Sequence, residues 1–239
     1  MKKVFLSMMV LTLALQGWAQ EDHKLTVIPK VGINWSTTSL DTWISQESIG
    51  KPDVQALIGP AAGIEVEYQF SELISASVGA LYSMQGRKYD DTPARKQAWE
   101  QGYLELKNIK DATVNTERHH FINFPVTANF HVAPGLAVRT GLQIGLMFYK
   151  TGTWDWPYDS DPNTGGKHDI GSSPKKFDLS IPIGVSYTLK NNLQFDLRYN
   201  HGLTNISSYN NSIKEKSRVI QLTVGYRLDP MQLFAKKKK

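Results

Sequence analysis

The chain has 239 residues, a formal net charge of +5 and no cysteine. We therefore expect no disulfide, no thiolate metal site and no acylated cysteine anchor. Six of the cations lie at the two ends, as Lys2, Lys3 and the run Lys236–Lys239, so the body between them carries a net charge of −1. A body this close to neutral offers no broad basic surface, and we expect no nucleic-acid partner.

The first nineteen residues have the pattern of a secretory signal peptide. Two lysines precede an apolar run at 4–15, and Gly17 and Ala19 are the small residues that a cleavage site needs. The run is too short to span a membrane easily, which favours cleavage after Ala19 over a retained signal anchor. We therefore expect three parts: a signal peptide at 1–19, a folded body at 20–230 and a basic tail at 231–239.

Eight segments of the body alternate apolar and polar side chains with a period of two, which predicts β-strands with one apolar face. In Leu193–Leu203, for example, Phe195 and Leu197 alternate with Asp196 and Arg198. A length of about ten residues suits a strand that crosses a bilayer. In chain order the segments are Leu25–Ser36, Ile58–Phe70, Leu73–Lys88, His119–Val132, Leu136–Lys150, Phe177–Leu189, Leu193–Leu203 and Ser217–Leu228.

The connections between these segments alternate in length. Short turns rich in Pro, Gly and Asn follow the second, fourth and sixth segments, at 71–72, 133–135 and 190–192. Longer polar stretches follow the others, near 37–57, 89–118, 151–176 and 204–216. This alternation predicts an all-β protein, an eight-stranded antiparallel transmembrane β-barrel with short periplasmic turns, long extracellular loops and both termini in the periplasm.

A water-soluble, lipocalin-like barrel is the structural alternative. It would turn the apolar faces inward around a ligand and the charged faces outward. The polar faces, however, contain many small residues, such as Gly32, Gly79 and Gly184, which suit a narrow lumen. Aromatic residues such as Trp35 and Tyr226 lie near strand ends, as the aromatic girdles of membrane barrels require. Both observations favour the membrane barrel in the outer membrane.

Charged residues on the polar faces are expected to point into the lumen. Eight strands enclose only enough space for side chains, and ions packed there must be paired because an isolated buried charge is very costly. The sequence therefore predicts a lumen filled by salt bridges, with a narrow porin-like channel for small solutes or ions as the alternative. The predicted lumen charge network consists of Lys30, Glu65, Glu67, Arg139, Asp196, Arg198 and Arg227.

Catalytic and metal-binding patterns are weak in this chain. His119, His120, His168 and His201 lie near the ends of the long connections, but no nucleophile motif accompanies them. His168 and Asp169 are neighbours in a glycine-rich stretch, which does not make a metal site. We therefore expect no enzyme, no cofactor and no metal, and keep an enzyme at the rim of the barrel as a lesser alternative.

Aromatic residues in the long connections are the candidates for recognition. Exposed aromatic side chains are enriched in surfaces that bind protein or sugar. The alternative is that these loops pack against each other and against lipid headgroups. The loop binding candidates are Trp43, Trp99, Trp154, Trp156 and Tyr158.

Several strands resemble the PorT-like outer membrane β-barrel family of Bacteroidetes. The resemblance is carried by Val-Gly-Ile-Asn-Trp-Ser at 31–36, Phe-Ile-Asn-Phe-Pro-Val at 121–126, and the stretches 135–145, 196–206 and 219–228. It implies an eight-stranded barrel in the outer membrane and brings no catalytic residue with it. We accordingly expect a monomer surrounded by outer-membrane lipid, with a structural, accessory or loop-mediated binding role toward an envelope or extracellular protein or glycan.

Overall fold

The computed structural model describes residues 25–42, 53–90, 114–154, 166–168, 177–206 and 213–230. The predicted signal peptide and the basic tail lie outside these ranges. Within them the chain forms eight long strands and one of three residues. The strands are β1 (Leu25–Thr42), β2 (Asp53–Gln69), β3 (Ile74–Asp90), β4 (Val114–Ala133), β5 (Leu136–Trp154), β6 (Gly166–His168), β7 (Phe177–Thr188), β8 (Leu193–Gly202) and β9 (Ile213–Tyr226).

The eight long strands close into an antiparallel barrel. Their order is β4-β3-β2-β1-β9-β8-β7-β5, and a further pairing between β4 and β5 closes the circle. The short β6 pairs only with the end of β5. Closure gives each long strand two hydrogen-bonded neighbours, so the barrel wall has no free edge. The predicted eight-stranded antiparallel barrel is thus confirmed. Among the described residues, no helix is long and apolar enough to cross a membrane.

The apolar faces of the strands point outward and the polar faces point inward. Outward-facing Val31 and Ile58 are 64% and 66% exposed, whereas inward-facing Asn34 and Ser83 are fully buried. A soluble ligand-binding barrel would need the opposite arrangement. The outward belt includes Ile33, Trp35, Val78, Phe124, Val126, Leu142, Ile144, Ile183, Leu197, Ile220 and Leu222.

Six of the eight long strands extend further toward the long connections than the sequence pattern indicates. β1 continues to Thr42, β4 begins at Val114 and β9 begins at Ile213, inside stretches that the sequence assigns to loops. The outward side chains become polar there, as in Thr37 and Ser39 of β1, so the apolar period ends while the backbone ladder continues. Backbone pairing depends on the register of the neighbouring strand and not on an apolar side chain.

The short connections are tight reversals. Gly135, between β4 and β5, has φ +78°, and its carbonyl accepts a hydrogen bond from the Thr188 amide at 2.7 Å. Asn192, before β8, has φ +68° and donates its amide to the Leu189 carbonyl at 3.0 Å. Gly and Asn are the residues that tolerate this left-handed conformation. They account for the short loops at this end of the barrel.

Two irregularities interrupt the pairing between β4 and β5, one beside the short turn at His131 and a bulge nearer the long connections. His120 lies opposite Tyr149, but the next residue, Phe121, lies opposite Met147, so that Phe148 is the extra residue. A bulge of this kind shifts the side-chain alternation by one position. As a result Phe148 and Tyr149 both face outward, and Lys150 points into the lumen.

Candidate functional site

Most charged side chains of the lumen form three groups, which we name by their members. Asp178 is separate and accepts hydrogen bonds from Thr204 and Ser217. The central ionic cluster consists of Lys30, Glu65, Arg139, Asp196 and Arg198. The rim ionic cluster, toward the long connections, consists of Arg87, Glu117, Lys150 and Glu215, with His119 beside it. The turn-end pair, toward the short turns, is Glu67 with Arg227.

In the central ionic cluster, Glu65 forms ion pairs with all three cations. Lys30 Nζ and Arg139 Nη2 each lie 2.7 Å from Glu65 Oε2, and Arg198 Nη2 lies 2.7 Å from Glu65 Oε1. Lys30 belongs to β1 and Arg139 to β5, which are four strands apart in either direction around the barrel. The cluster therefore bridges the full width of the lumen.

Asp196 is the second anion of this cluster. Lys30 Nζ donates to it at 3.1 Å, and Arg198 donates to both of its oxygens at 2.9 Å, while Arg139 Nη1 pairs with its Oδ2. None of the five side chains is more than 4% exposed. Such burial is tolerated because each ion has several charge-assisted hydrogen bonds.

Neutral polar side chains surround the cluster and continue above it. Arg139 Nε donates to Asn129 Oδ1 at 2.8 Å, and its Nη2 donates to Ser77 Oγ at 2.7 Å. Nearer the long connections, Asn34 Nδ2 donates to Ser83 Oγ at 2.8 Å and accepts from Gln221 Nε2 at 2.9 Å through its Oδ1. The hydrogen bonds of Asn34 join β1 to β3 and β9 without any charge.

Large apolar side chains also fill the interior. Leu57, Leu81, Phe121 and Met147 are all buried, although the neighbours that face outward are apolar as well. Sequence reasoning missed these residues because both faces of the strand are apolar at these points, which hides the period of two. Counting every second residue along the strand could have found them. Phe121, for example, is two residues before the inward-facing Asn123 and therefore shares its face.

The two carboxylates of the rim ionic cluster lie where the sequence predicted loops, whereas its cations lie at the ends of predicted strands. Arg87 Nη2 lies 3.0 Å from Glu117 and 2.8 Å from Glu215, and Lys150 Nζ lies 3.3 Å from Glu117. His119 Nε2 is 3.8 Å from Glu117 and is buried. Sequence reasoning did not identify this cluster, because Glu117 and Glu215 were assigned to the long loops and not to strands.

The turn-end pair is more open to solvent. Arg227 donates to both oxygens of Glu67 at 3.0 Å in a bidentate arrangement, and its side chain is 17% exposed. The two residues line a recess of about 190 Å³ together with His131 and Gln194. This recess is a shallow polar vestibule at the short-turn end.

The predicted site residues therefore fall into two sets. All seven predicted lumen charges, listed above, have their side chains inside the barrel, in the central ionic cluster and the turn-end pair. Of the aromatic candidates, Trp154 is the last residue of β5, whereas Trp43, Trp99, Trp156 and Tyr158 lie outside the described residues.

The histidines near the long connections do not converge. His119 points into the lumen, while His120 points outward, where its Nδ1 lies 2.8 Å from the hydroxyl of Tyr82. His201 is also on the outward face, 3.5 Å from the hydroxyl of Tyr199. In the part of the chain that the structure describes, no group of three or more histidines or carboxylates is placed to hold a metal ion.

A closed barrel with an apolar belt outside and paired ions inside is the architecture of an outer-membrane β-barrel protein. Residues 18–208 match the family described as "Outer membrane protein beta-barrel domain". The chain belongs to this family, and its location is the outer membrane. No curated protein matches the chain.

Solved structures of small barrels are similar to this chain. Ail of Yersinia pestis, in complex with the heparin analogue sucrose octasulfate, is 12% identical, covers 86% of this chain and 100% of its own, and gives a TM-score of 0.46. Neisserial surface protein A is 14% identical, with 87% and 99% covered and a TM-score of 0.45. OprG of Pseudomonas aeruginosa is 11% identical, with 86% and 96% covered and a TM-score of 0.43. The family assignment depends on the family match.

Proposed function

We propose that the protein is a non-enzymatic barrel whose lumen is closed by its own side chains and whose outer connections carry its binding role. The observation that carries this proposal is the central ionic cluster, which bridges β1 and β5 and is almost fully buried. Ion conduction needs water or exposed ligands along the path. Side chains with so little accessible surface leave no room for water beside them.

The residues around the cluster support the same conclusion. Leu81 and Phe121 are buried in the lumen between the central and the rim ionic clusters, beside the hydrogen-bonded Asn34, so apolar groups narrow the lumen there. A hydrophobic constriction opposes ion passage because ions lose hydration there without gaining a ligand. The lumen therefore combines an electrostatic closure with an apolar one.

Current measurement in planar bilayers tests the closed lumen. The folded wild-type protein should give no stepwise current. A balanced double variant, Glu65→Ser with Arg139→Ser, removes one anion and one cation that meet at 2.7 Å and should open a small-ion current. The matched control, Glu67→Ser with Arg227→Ser, removes a pair at the open turn end and should remain closed.

Two results would overturn the closed-lumen proposal. Stepwise current through the wild-type protein would support the narrow porin-like channel instead. A folded Glu65→Ser/Arg139→Ser variant that stays silent would show that the central ionic cluster is not the closure. Folding of each variant is checked by the shift in electrophoretic mobility between heated and unheated samples, which distinguishes folded from unfolded barrels.

The orientation in the membrane is part of this proposal. An even number of strands puts both termini on one side, and long connections on the other side are typical of barrels with extracellular loops. We place the termini and short turns in the periplasm. A protease site inserted at Asn191 should be protected in intact cells, while one inserted at 99 in a long connection should be cleaved. The reverse pattern would invert the assignment.

We also assign the binding role to the long connections, which contain the aromatic candidates named above. Their occupant is proposed to be an envelope or extracellular protein or glycan, with the barrel acting as a monomer. The resemblance of the 196–206 stretch to PorT-like barrels implies an outer-membrane barrel and brings no catalytic residue, which is compatible with a binding role. Affinity capture from intact envelopes tests this, with replacement of Trp154, Trp156 and Tyr158 by serine as the control that should lose the partner.

A further inference from the structure

His119 is a buried histidine beside the rim ionic cluster. Its side chain is 2% exposed, and its Nε2 has no hydrogen-bond partner in the part of the chain that the structure describes. The carboxylate oxygen beside it is Glu117 Oε2, at 3.8 Å, which is too long for a hydrogen bond. The ring packs edge-to-face against Phe121, with 6.4 Å between the ring centres. A polar atom buried without a partner needs a physical explanation.

The strands around His119 supply equal numbers of positive and negative charges to the rim ionic cluster. The charged side chains that point into the lumen at this end are Arg87 of β3, Glu117 of β4, Lys150 of β5, Asp178 of β7 and Glu215 of β9. β1 and β2 contribute the uncharged Thr38 and Leu57, and on β4 itself Arg118 and His120 point outward. Asp178 is outside the cluster, so its two cations balance its two carboxylates while His119 is neutral.

Protonation of His119 would place a third cation beside two carboxylates. Arg87 Nε and Nη2, at 3.1 and 3.0 Å, already occupy both lone pairs of Glu117 Oε2, and Lys150 Nζ lies 3.3 Å from its Oε1. The added charge would be buried without a counter-ion, which is very costly unless the cluster opens to water.

The sign of the pH dependence follows from this difference. The closed rim holds the neutral ring, whereas a hydrated, open rim lets the ring take up a proton at the ordinary histidine pKa of about 6.5. The contribution of His119 to the closed rim is therefore fully present above about pH 6.5 and is lost as the pH falls below that value.

Opening of the cluster would reach the connection after β8 through Glu215. We call residues 203–206 of this connection the strap. The Glu215 carbonyl accepts from the Ile206 amide at 2.9 Å, and the Glu215 amide donates to Asn205 Oδ1 at 2.9 Å. The Ile206 side chain is 3% exposed. The same residue thus holds the strap through its backbone and Arg87 through its carboxylate, at 2.8 Å.

We propose that His119 makes the rim ionic cluster an acid-sensitive conformational switch, in which protonation of the ring opens the cluster and releases the strap from β9. The central ionic cluster contains no histidine and keeps its pairs in the same range of pH. The switch therefore adds a response to acid that the closed lumen and the binding role do not include.

Hydrogen exchange of the full-length protein in lipid nanodiscs, read by mass spectrometry at pH 7.5 and 5.0, tests the switch. Rates are corrected for the chemical pH dependence of amide exchange. In the wild type, peptides 114–120 and 213–217 should exchange up to roughly thirtyfold faster at pH 5.0, because one proton taken up only by the open rim shifts the opening equilibrium by that factor. Peptide 64–68, at the central ionic cluster, should not change.

Three substitutions separate His119 from its neighbours. His119→Gln and His119→Phe have no group to protonate and should remove the acid response. His120→Gln is the matched control, because this histidine lies on the outward face of the same strand, and it should keep the response. Lys150→Met removes one cation of the cluster, so a protonated His119 restores the balance and acid should slow exchange at the rim. Folding of each variant is checked by electrophoretic mobility.

An unchanged acid response in a folded His119 variant would assign it to another group, such as Glu215 or Asp178, and would overturn the proposal. Loss of the response in His120→Gln would do the same. If neither His119 variant folds, a Lys150→Met rim that still opens in acid overturns it. Both faces of a nanodisc meet the same buffer and no current is measured, so these results are independent of the orientation and of the closed lumen.

Discussion

The central and rim ionic clusters both pair buried charges, but they lie at different distances from solvent. In the central cluster three cations share two carboxylates, and residues of β1, β2, β5 and β8 meet inside the membrane-spanning part. In the rim cluster two cations face two carboxylates, and its Lys150 side chain is 7% exposed, the largest value in either cluster. Ions far from water depend on each other completely, whereas ions near the mouth can gain hydration when a partner is lost.

This comparison predicts that the cost of removing a carboxylate falls from the centre of the lumen to its ends. Coulombic interactions strengthen as water is excluded, and the penalty for an unpaired ion rises in the same order. The same type of substitution, a carboxylate replaced by its amide, can therefore be compared at three depths. The shape of the side chain is kept nearly constant, and at each of the three depths the charge and one acceptor oxygen are lost.

Glu65→Gln should have the largest effect. It leaves Lys30, Arg139 and Arg198 with Asp196 as their only carboxylate in the cluster, and breaking such a buried network costs about 3–5 kcal/mol in the free energy of unfolding. Denaturant unfolding in lipid vesicles, followed by tryptophan fluorescence, measures it. Adding Lys30→Met should recover part of the loss. Glu72→Gln, at an exposed turn, is the control, and a similar loss there would refute the comparison.

Glu215→Gln should have an intermediate effect of about 1.5–3 kcal/mol, the value for a hydrogen bond to a charged group. Arg87 keeps its contact with Glu117 at 3.0 Å and with Thr38 at 2.6 Å, so the guanidinium stays paired. The same unfolding measurement applies. A loss as large as that of Glu65→Gln would show that the rim is as dry as the centre.

Glu67→Gln should have the smallest effect, about 1 kcal/mol or less, as for partly exposed ion pairs. Arg227 is 17% exposed and lines the turn-end recess, so water can replace the lost carboxylate. Raising the salt concentration should weaken the wild-type contribution of this pair and leave that of Glu65 nearly unchanged. The salt dependence of the two variants, measured side by side, is the readout.

Sequence reasoning found the barrel but only part of its interior. The alternation in 193–203 and 217–228 predicts strands whose inward and outward faces agree with the structure. The agreement follows because alternate side chains of a strand always share a face. Sequence reasoning could not find Leu81 and Phe121 in the lumen, since the strand is apolar on both faces there. It also did not place Glu117 and Glu215 in the lumen. Both residues lie beyond the apolar belt, where the strands continue through backbone pairing without an apolar period.

The sequence by itself determined the class of fold and the side of each strand that meets lipid, because a period of two in hydrophobicity is a local property of the chain. Which ions meet was decided only by the tertiary structure. Lys30 reaches Glu65, 35 residues away, and Asp196, 166 residues away, because closure of the barrel and the register of its strands bring them to one depth. No local pattern encodes that register, since it depends on how eight strands fit together around a circle.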